Sequence, residues 1–153
     1  MKNIITTLGL IILLAGHANA DDGLITTKSR YNVDETLDRL ESVVKKKGLT
    51  VFARIDHAAG AKKVGQELRP TRLLIFGNPK VGTLLMQSNQ VAGIDLPMKA
   101  LAWEDADGQV WLTINTAGYL AKRHSICDRE EVVRKMTAAL DKFVQAATTT
   151  AGD

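Results

Sequence analysis

The residues with the type and setting to do chemistry sit in short polar interruptions between apolar stretches. His57 closes an alternating segment and opens an Ala/Gly-rich one. An imidazole at a strand end can act as a base or bind a metal, while its plainer use is to satisfy a neighbouring backbone group. Asn78, in Phe76-Gly77-Asn78-Pro79, stands where it caps a helix whose first position is Pro79; the free N–H groups of such an end can also hold an anion. Asp95 lies in Gly93-Ile94-Asp95-Leu96-Pro97, where flanking apolar residues draw the carboxyl inward. That setting suits a general acid or base, and equally a carboxylate that accepts backbone N–H bonds to fix a loop. His124-Ser125-Ile126-Cys127 puts the chain's single thiol just before a helix start, where the dipole favours a nucleophile. A nucleophile also needs a positioned base, and the plainer reading packs Cys127 on Val132 as a hydrophobic staple.

Spacing removes several chemistries. Gly77 to Thr83 mimics part of a P-loop, but the lysine that should precede Thr83 is missing, so nucleotide hydrolysis is excluded. Beyond the leader described next, only His57, His124 and Cys127 join the carboxylates as metal ligands, and no H-x-x-x-H, H-E-x-x-H or C-x-x-C spacing occurs. No metal is expected and no cofactor is named. Lys45 to Lys47 belong to a helix end and Lys122-Arg123 is short, so there is no basic stripe with stacking aromatics for nucleic acid. Trp103 and Trp111 suit a pocket wall, an interface or the core.

The N-terminus carries a second kind of signal. Met1-Lys2, an apolar run from Ile4 to Ala15 and Ala18-Asn19-Ala20 read as a cleavable signal peptide covering residues 1–20, cut between Ala20 and Asp21. The run falls short of the roughly 20 residues needed to span a bilayer, and no later apolar stretch replaces it. No cysteine near the cut suggests a lipid anchor. The expectation is an exported protein of the periplasm, or a secreted one, with no membrane span after cleavage. The remaining residues 21–153 match one domain in size, and the near-balanced charge, +3 for the 153 residues, names no partner. One cysteine rules out an internal disulfide framework.

The elements that must position these residues follow from periodicity and punctuation. A strand is expected over Leu24–Tyr31. A helix follows from Asn32 as N-cap, with Glu35 three residues on, Val33, Leu37, Leu40 and Val44 on one face, and Gly48 beyond its end. Leu49–Ile55 alternates as a half-buried strand with Leu49, Val51, Ala53 and Ile55 inward. A short helix is expected over Ala58–Leu68, then a central strand over Thr71–Phe76 covered on both faces, then a helix over Lys80–Ser88. Lys99–Glu104 and Gln109–Asn115 form a hairpin around Asp105-Ala106-Asp107-Gly108, with its pairing left open. The last helix starts at Asp128 as N-cap and carries Val133, Met136, Leu140, Phe143 and Ala147 on one stripe; Thr148–Asp153 reads as a frayed tail. Two long amphipathic helices need a surface to bury against. The simplest fold is α+β, a mainly antiparallel sheet with helices packed on one face.

His57, Pro70, Phe76-Gly77-Asn78-Pro79, Gly82-Thr83-Leu84-Leu85-Met86, Ile94-Asp95-Leu96-Pro97 and Asp105 to Gly108 together resemble the domain-of-unknown-function family DUF302, from about Leu24 to Phe143. The resemblance implies a compact fold of the TATA-binding-protein-like class, often dimeric, with no agreed reaction, cofactor or catalytic residue. It marks His57, Asn78 and Asp95 as motif positions.

Three functions follow as expectations. The first is a non-enzymatic domain holding a small-molecule ligand between the sheet and the Asn78 helix, with His57, Asn78 and Asp95 as contacts within about 12 Å of one another, the reach of one small pocket. The second is an enzyme using His57 and Asp95 as an acid/base pair on a small anionic substrate. The third is an interaction module that works as a homodimer through sheet edges or an apolar patch.

Overall fold

The computed structural model describes residues 23–150. The leader read into residues 1–20, its Ala20–Asp21 junction and the last three residues of the tail lie outside the described residues. The elements are β1 (Leu24–Lys28), α1 (Val33–Lys46), β2 (Thr50–Asp56), α2 (His57–Lys63), β3 (Thr71–Gly77), α3 (Pro79–Ser88), a 3-10 helix (Gln90–Ile94), β4 (Met98–Glu104), β5 (Val110–Asn115), α4 (Ala117–Arg123) and α5 (Glu130–Thr148). The strands form one sheet in the order β1-β5-β4-β3-β2, every neighbour antiparallel. The α+β fold expected from the sequence is the one observed.

Helix α1 forms where local chemistry demands it. The Asn32 side chain accepts the Glu35 N–H at 2.8 Å, Asp34 and Glu35 fill the first turn, and Gly48 takes φ 74 just past the end. Val33, Leu37, Leu40 and Val44 are all buried, each contributing roughly 1.5–3 kcal/mol against exposure. The opposite edge is acidic: Asp34, Asp38 and Glu41 pair with Arg54 of β2, and Asp34 also with Arg72 of β3. Helix and sheet are thus registered by charge as well as by apolar contact.

The sheet has two unlike faces. Leu74, Phe76, Met98, Ala100, Ala102, Val110, Leu112 and Ile114 are buried in the core beneath the helices. Their strand neighbours Leu73, Ile75, Leu101, Trp103, Trp111 and Thr113 are only partly buried, on a face that the described helices leave partly open. The expectation that β3 is covered on both sides is therefore corrected. So is the orientation of β2. A register shift between Val51 and Ala53 turns Ala53 and Ile55 towards the open face, pairing them with Ile75 and Leu73, and leaves Ile55 39% exposed.

Further corrections concern the C-terminal third. Helix α4 stands where no element was expected; Thr116 caps it by accepting the Tyr119 N–H at 3.1 Å, and it buries Ala117, Leu120 and Ala121. At seven residues it is too short to show a helical period. Helix α5 starts at Glu130 after Arg129, not behind Asp128, and runs to a fully buried Thr148, so the tail is not frayed at that residue. Cys127 is exposed, with Sγ 3.6 Å from the Ser125 carbonyl, and not tucked in as a staple.

Candidate functional site

The topology separates the expected contacts. Asp56 pairs with Arg72 and Thr50 with Gly77, so His57 lies beyond one end of the β2–β3 pair and Asn78 beyond the other. At about 3.3 Å per strand residue the two ends are roughly 20 Å apart. Met98 pairs with Phe76, which puts Asp95, just ahead of β4, at the Asn78 end. Asn78 and Asp95 are brought to one end of the sheet. His57 is exposed at the far end and can share no small pocket with them. The expected acid/base pair of His57 with Asp95 is not formed.

Asp95 has a different histidine. His124 Nε2 lies 2.6 Å from Asp95 Oδ2, with the imidazole almost wholly buried at the C-cap of α4. Arg123 lies 3.3 Å from the other carboxylate oxygen. The backbone joins in: Asn89 Nδ2 donates to the His124 carbonyl at 2.8 Å, and Lys99 Nζ donates to the Asp95 and Pro97 carbonyls at 3.2 and 3.1 Å. These bonds clamp the segment between the 3-10 helix and β4 onto α4. The carboxylate fixes a loop, as its plainer reading held, but it does so through side chains.

On the other side of that clamped segment is a groove. One part, about 280 Å³, is lined by Phe52, Met86, Gly93, Leu96 and Pro97; the other, about 320 Å³, by Leu84, Val132, Lys135, Leu140 and Phe143. Gly77, Asn78, Val81, Met98 and Met136 line both, so the parts run together over the start of α3. Asn78 Oδ1 accepts the Lys80 N–H at 3.0 Å, confirming its cap. The groove exists because Gly77 and Gly82 bring α3 close to the sheet end without filling the space, a Cβ on Gly77 meeting Pro97 at 3.3 Å. Its lining is apolar apart from Asn78, Thr83 and Lys135. Lys135 lies 3.2 Å from Glu131, whose carboxyl is held below its ordinary range by the Arg134 hydrogen bond and then by Lys135.

Larger depressions elsewhere are spent on structure. One of about 920 Å³ runs along Lys28 to Asn32, where Tyr31 donates to the Thr149 carbonyl and Gln109 to the carbonyls of Ser29 and Val110. Another, at Cys127 and Asp128, is edged by the Glu131–Arg134 pair. The Ser88 hydroxyl, 2.5 Å from Asp128, holds that carboxyl below its usual range. Among the described residues no group of three or more His, Cys, Asp and Glu side chains could hold a metal ion.

Sequence reasoning missed His124 as the partner of Asp95, because 29 positions separate them and nothing local announces the pairing. It also missed the groove methionines. Their signal was present in Met86 and Met136 on helix stripes and Met98 opening a strand, but only the fold makes them neighbours.

A single five-stranded antiparallel sheet with the long helices α1 and α5 packed on it and an apolar groove at one end makes this a compact α+β domain. The chain belongs to the family described as "Domain of unknown function DUF302", which matches residues 25–143. The structure resembles that of an uncharacterised conserved DUF302 protein from Bacillus stearothermophilus, with TM-score 0.74 and 18% identity over 82% of this chain and 98% of that one. The chain is also 54% identical over 106 residues, 69% of its length, to proteins of Brucella suis and Brucella abortus named fluoride-specific ion channel FluC 1. It spans 42% and 39% of the length of those two relatives.

Proposed function

We propose that this chain is an exported, non-enzymatic binding domain that holds a small, mainly apolar ligand in the groove between α3, α5 and the end of the sheet. The observation that carries the reading is the groove itself. Its walls come from β2, β3, α3, β4 and α5, and the Asp95–His124 clamp fixes the segment that lines it with Leu96 and Pro97. Apolar walls with few polar groups are the usual make-up of a small-molecule site. Asn78 and Lys135 give a guest its orientation, so a guest with an apolar body and one anionic or carbonyl end fits. No acid, base or nucleophile in a reactive arrangement lines the walls, which separates this proposal from an enzyme. The channel activity in the names of the Brucella relatives is not carried over, because the chain spans 42% and 39% of their length.

The test is calorimetric titration with dodecanoate, a probe with an apolar chain and one carboxylate, against the unaltered chain and Val81→Trp. Saturable binding to the former and a loss of at least tenfold in the latter, whose indole fills the groove, is the expected result. Equal affinity in both would place the binding elsewhere.

The open sheet face supports a second reading, self-association as a homodimer. Leu73, Ile75, Leu101 and Trp103 stand side by side there, with Ile55 exposed beside them. Antiparallel sheets tolerate one solvated face when it is polar, but an apolar one is better covered. A second copy apposing the same face would cover it by two-fold symmetry.

A further inference from the structure

The chain has four methionines, and all three that follow Met1 line the same stretch of groove. They arrive from separate elements, Met86 on α3, Met98 at the start of β4 and Met136 on α5. Met98 is 5% exposed, while Met86 and Met136 are only partly buried, so the cluster has a closed floor and an accessible side. Met86 lies with its sulfur against Gly93, where an added Cβ would stand 3.2 Å from Sδ. A larger residue at that position would push the thioether aside.

We propose that Met86, Met98 and Met136 form a binding site for a soft monovalent d10 cation, the chemical class of Cu(I). Thioether sulfur is a neutral, polarisable donor that selects soft metal ions over hard ones. No charged side chain lines this part of the groove. A cation entering it loses hydration without gaining a carboxylate, and the cost grows as the square of the charge, about four times larger for a divalent ion. Calcium and magnesium would also want about six oxygen ligands, where the side chains of this part of the groove offer only those of Asn78 and Thr83. A neutral three-sulfur set therefore discriminates by softness and by charge together. Thioethers do not titrate, so the site keeps its affinity in acid, where histidine or thiolate sites lose theirs. The site shares the groove with the ligand proposed above but does not depend on that ligand.

The test uses Ag(I), a redox-inert d10 probe, on chain labelled at the methionine methyl carbons. Cys127→Ser removes the exposed thiol as a competitor. The expected result is saturation at one equivalent, with the methyl resonances of Met86, Met98 and Met136 shifting together, at pH 5 as at pH 7. Met86→Leu/Met136→Leu, which keeps side-chain volume and apolar character, is expected to lose that binding while its circular dichroism and unfolding midpoint stay those of the unsubstituted chain, which shows that it is folded. Methyl resonances unmoved by one equivalent of Ag(I), or binding that survives the double substitution, would overturn the proposal. Loss of dodecanoate binding alone in the unsubstituted chain would overturn the small-ligand reading and leave this one standing.

Discussion

At the scale of single residues, the histidines divide into one that holds the fold and one that does not. His124 is buried and bonded to a carboxylate, so His124→Ala leaves Asp95 with Arg123 alone among side chains and is expected to cost about 1.5–3 kcal/mol in denaturant unfolding. His57→Ala, at an exposed position, is expected to change stability by no more than about 0.5 kcal/mol and to leave groove binding intact. Asp105 gives a pH prediction. Its carboxylate accepts the Trp111 indole N–H at 2.7 Å and the backbone N–H groups of Gln109 and Asp107, which hold it below the ordinary aspartate range. The depressed folded value means that its contribution is present above the unfolded pKa, near 3.8, and is lost as pH falls through the folded one. Trp111 emission should stay constant from neutral pH to about 4 and change below it, and Asp105→Asn should abolish that transition. Of these residue roles the sequence showed only part: the Asn78 cap was legible because a cap is local, whereas the Asp95–His124 bond depends on how β4 and α4 are folded together.

At the scale of elements, legibility followed the range of the forces. Helix α1 could be read because its cap, stripe and C-terminal glycine are all written within one stretch of chain. The β4–β5 hairpin was legible from Asp107-Gly108, and the structure completes it: Trp103 faces Trp111, their rings stacked with centroids 6.4 Å apart. The open face of the sheet and the register shift in β2 were not legible. Leu73 and Ile75 look the same in sequence whether a helix or water lies above them, and the shift appears only against β3. The N-terminal edge supplies an element-scale prediction. Gly23 takes φ 77 immediately before β1, and a Cβ there would stand 2.0 Å from Tyr119 Cγ on α4. Gly23→Ala should therefore force β1 and α4 apart and destabilise the fold by about 1–3 kcal/mol, read as a lower unfolding midpoint. Gly48→Ala takes similar backbone strain with no contact within 4 Å and should cost less.

At the scale of the whole molecule, the sheet has a buried face, a partly open face and a grooved end. One face makes the core, the other is proposed to receive a second copy, and the groove lies at the edge of the core where α3 and α5 meet the strand ends. Self-association through the open face predicts that Leu101→Glu shifts sedimentation velocity towards monomer without changing groove binding; a mass unaffected by that charge would remove the face from consideration. On the proposed function the groove, and not the open face, receives a small ligand. The most direct measurement is a dodecanoate titration followed in one sample through the methionine methyl and tryptophan indole resonances. The account predicts saturable shifts at Met86, Met98 and Met136 with the indoles of Trp103 and Trp111 unmoved, and shifts confined to the two tryptophans would contradict it.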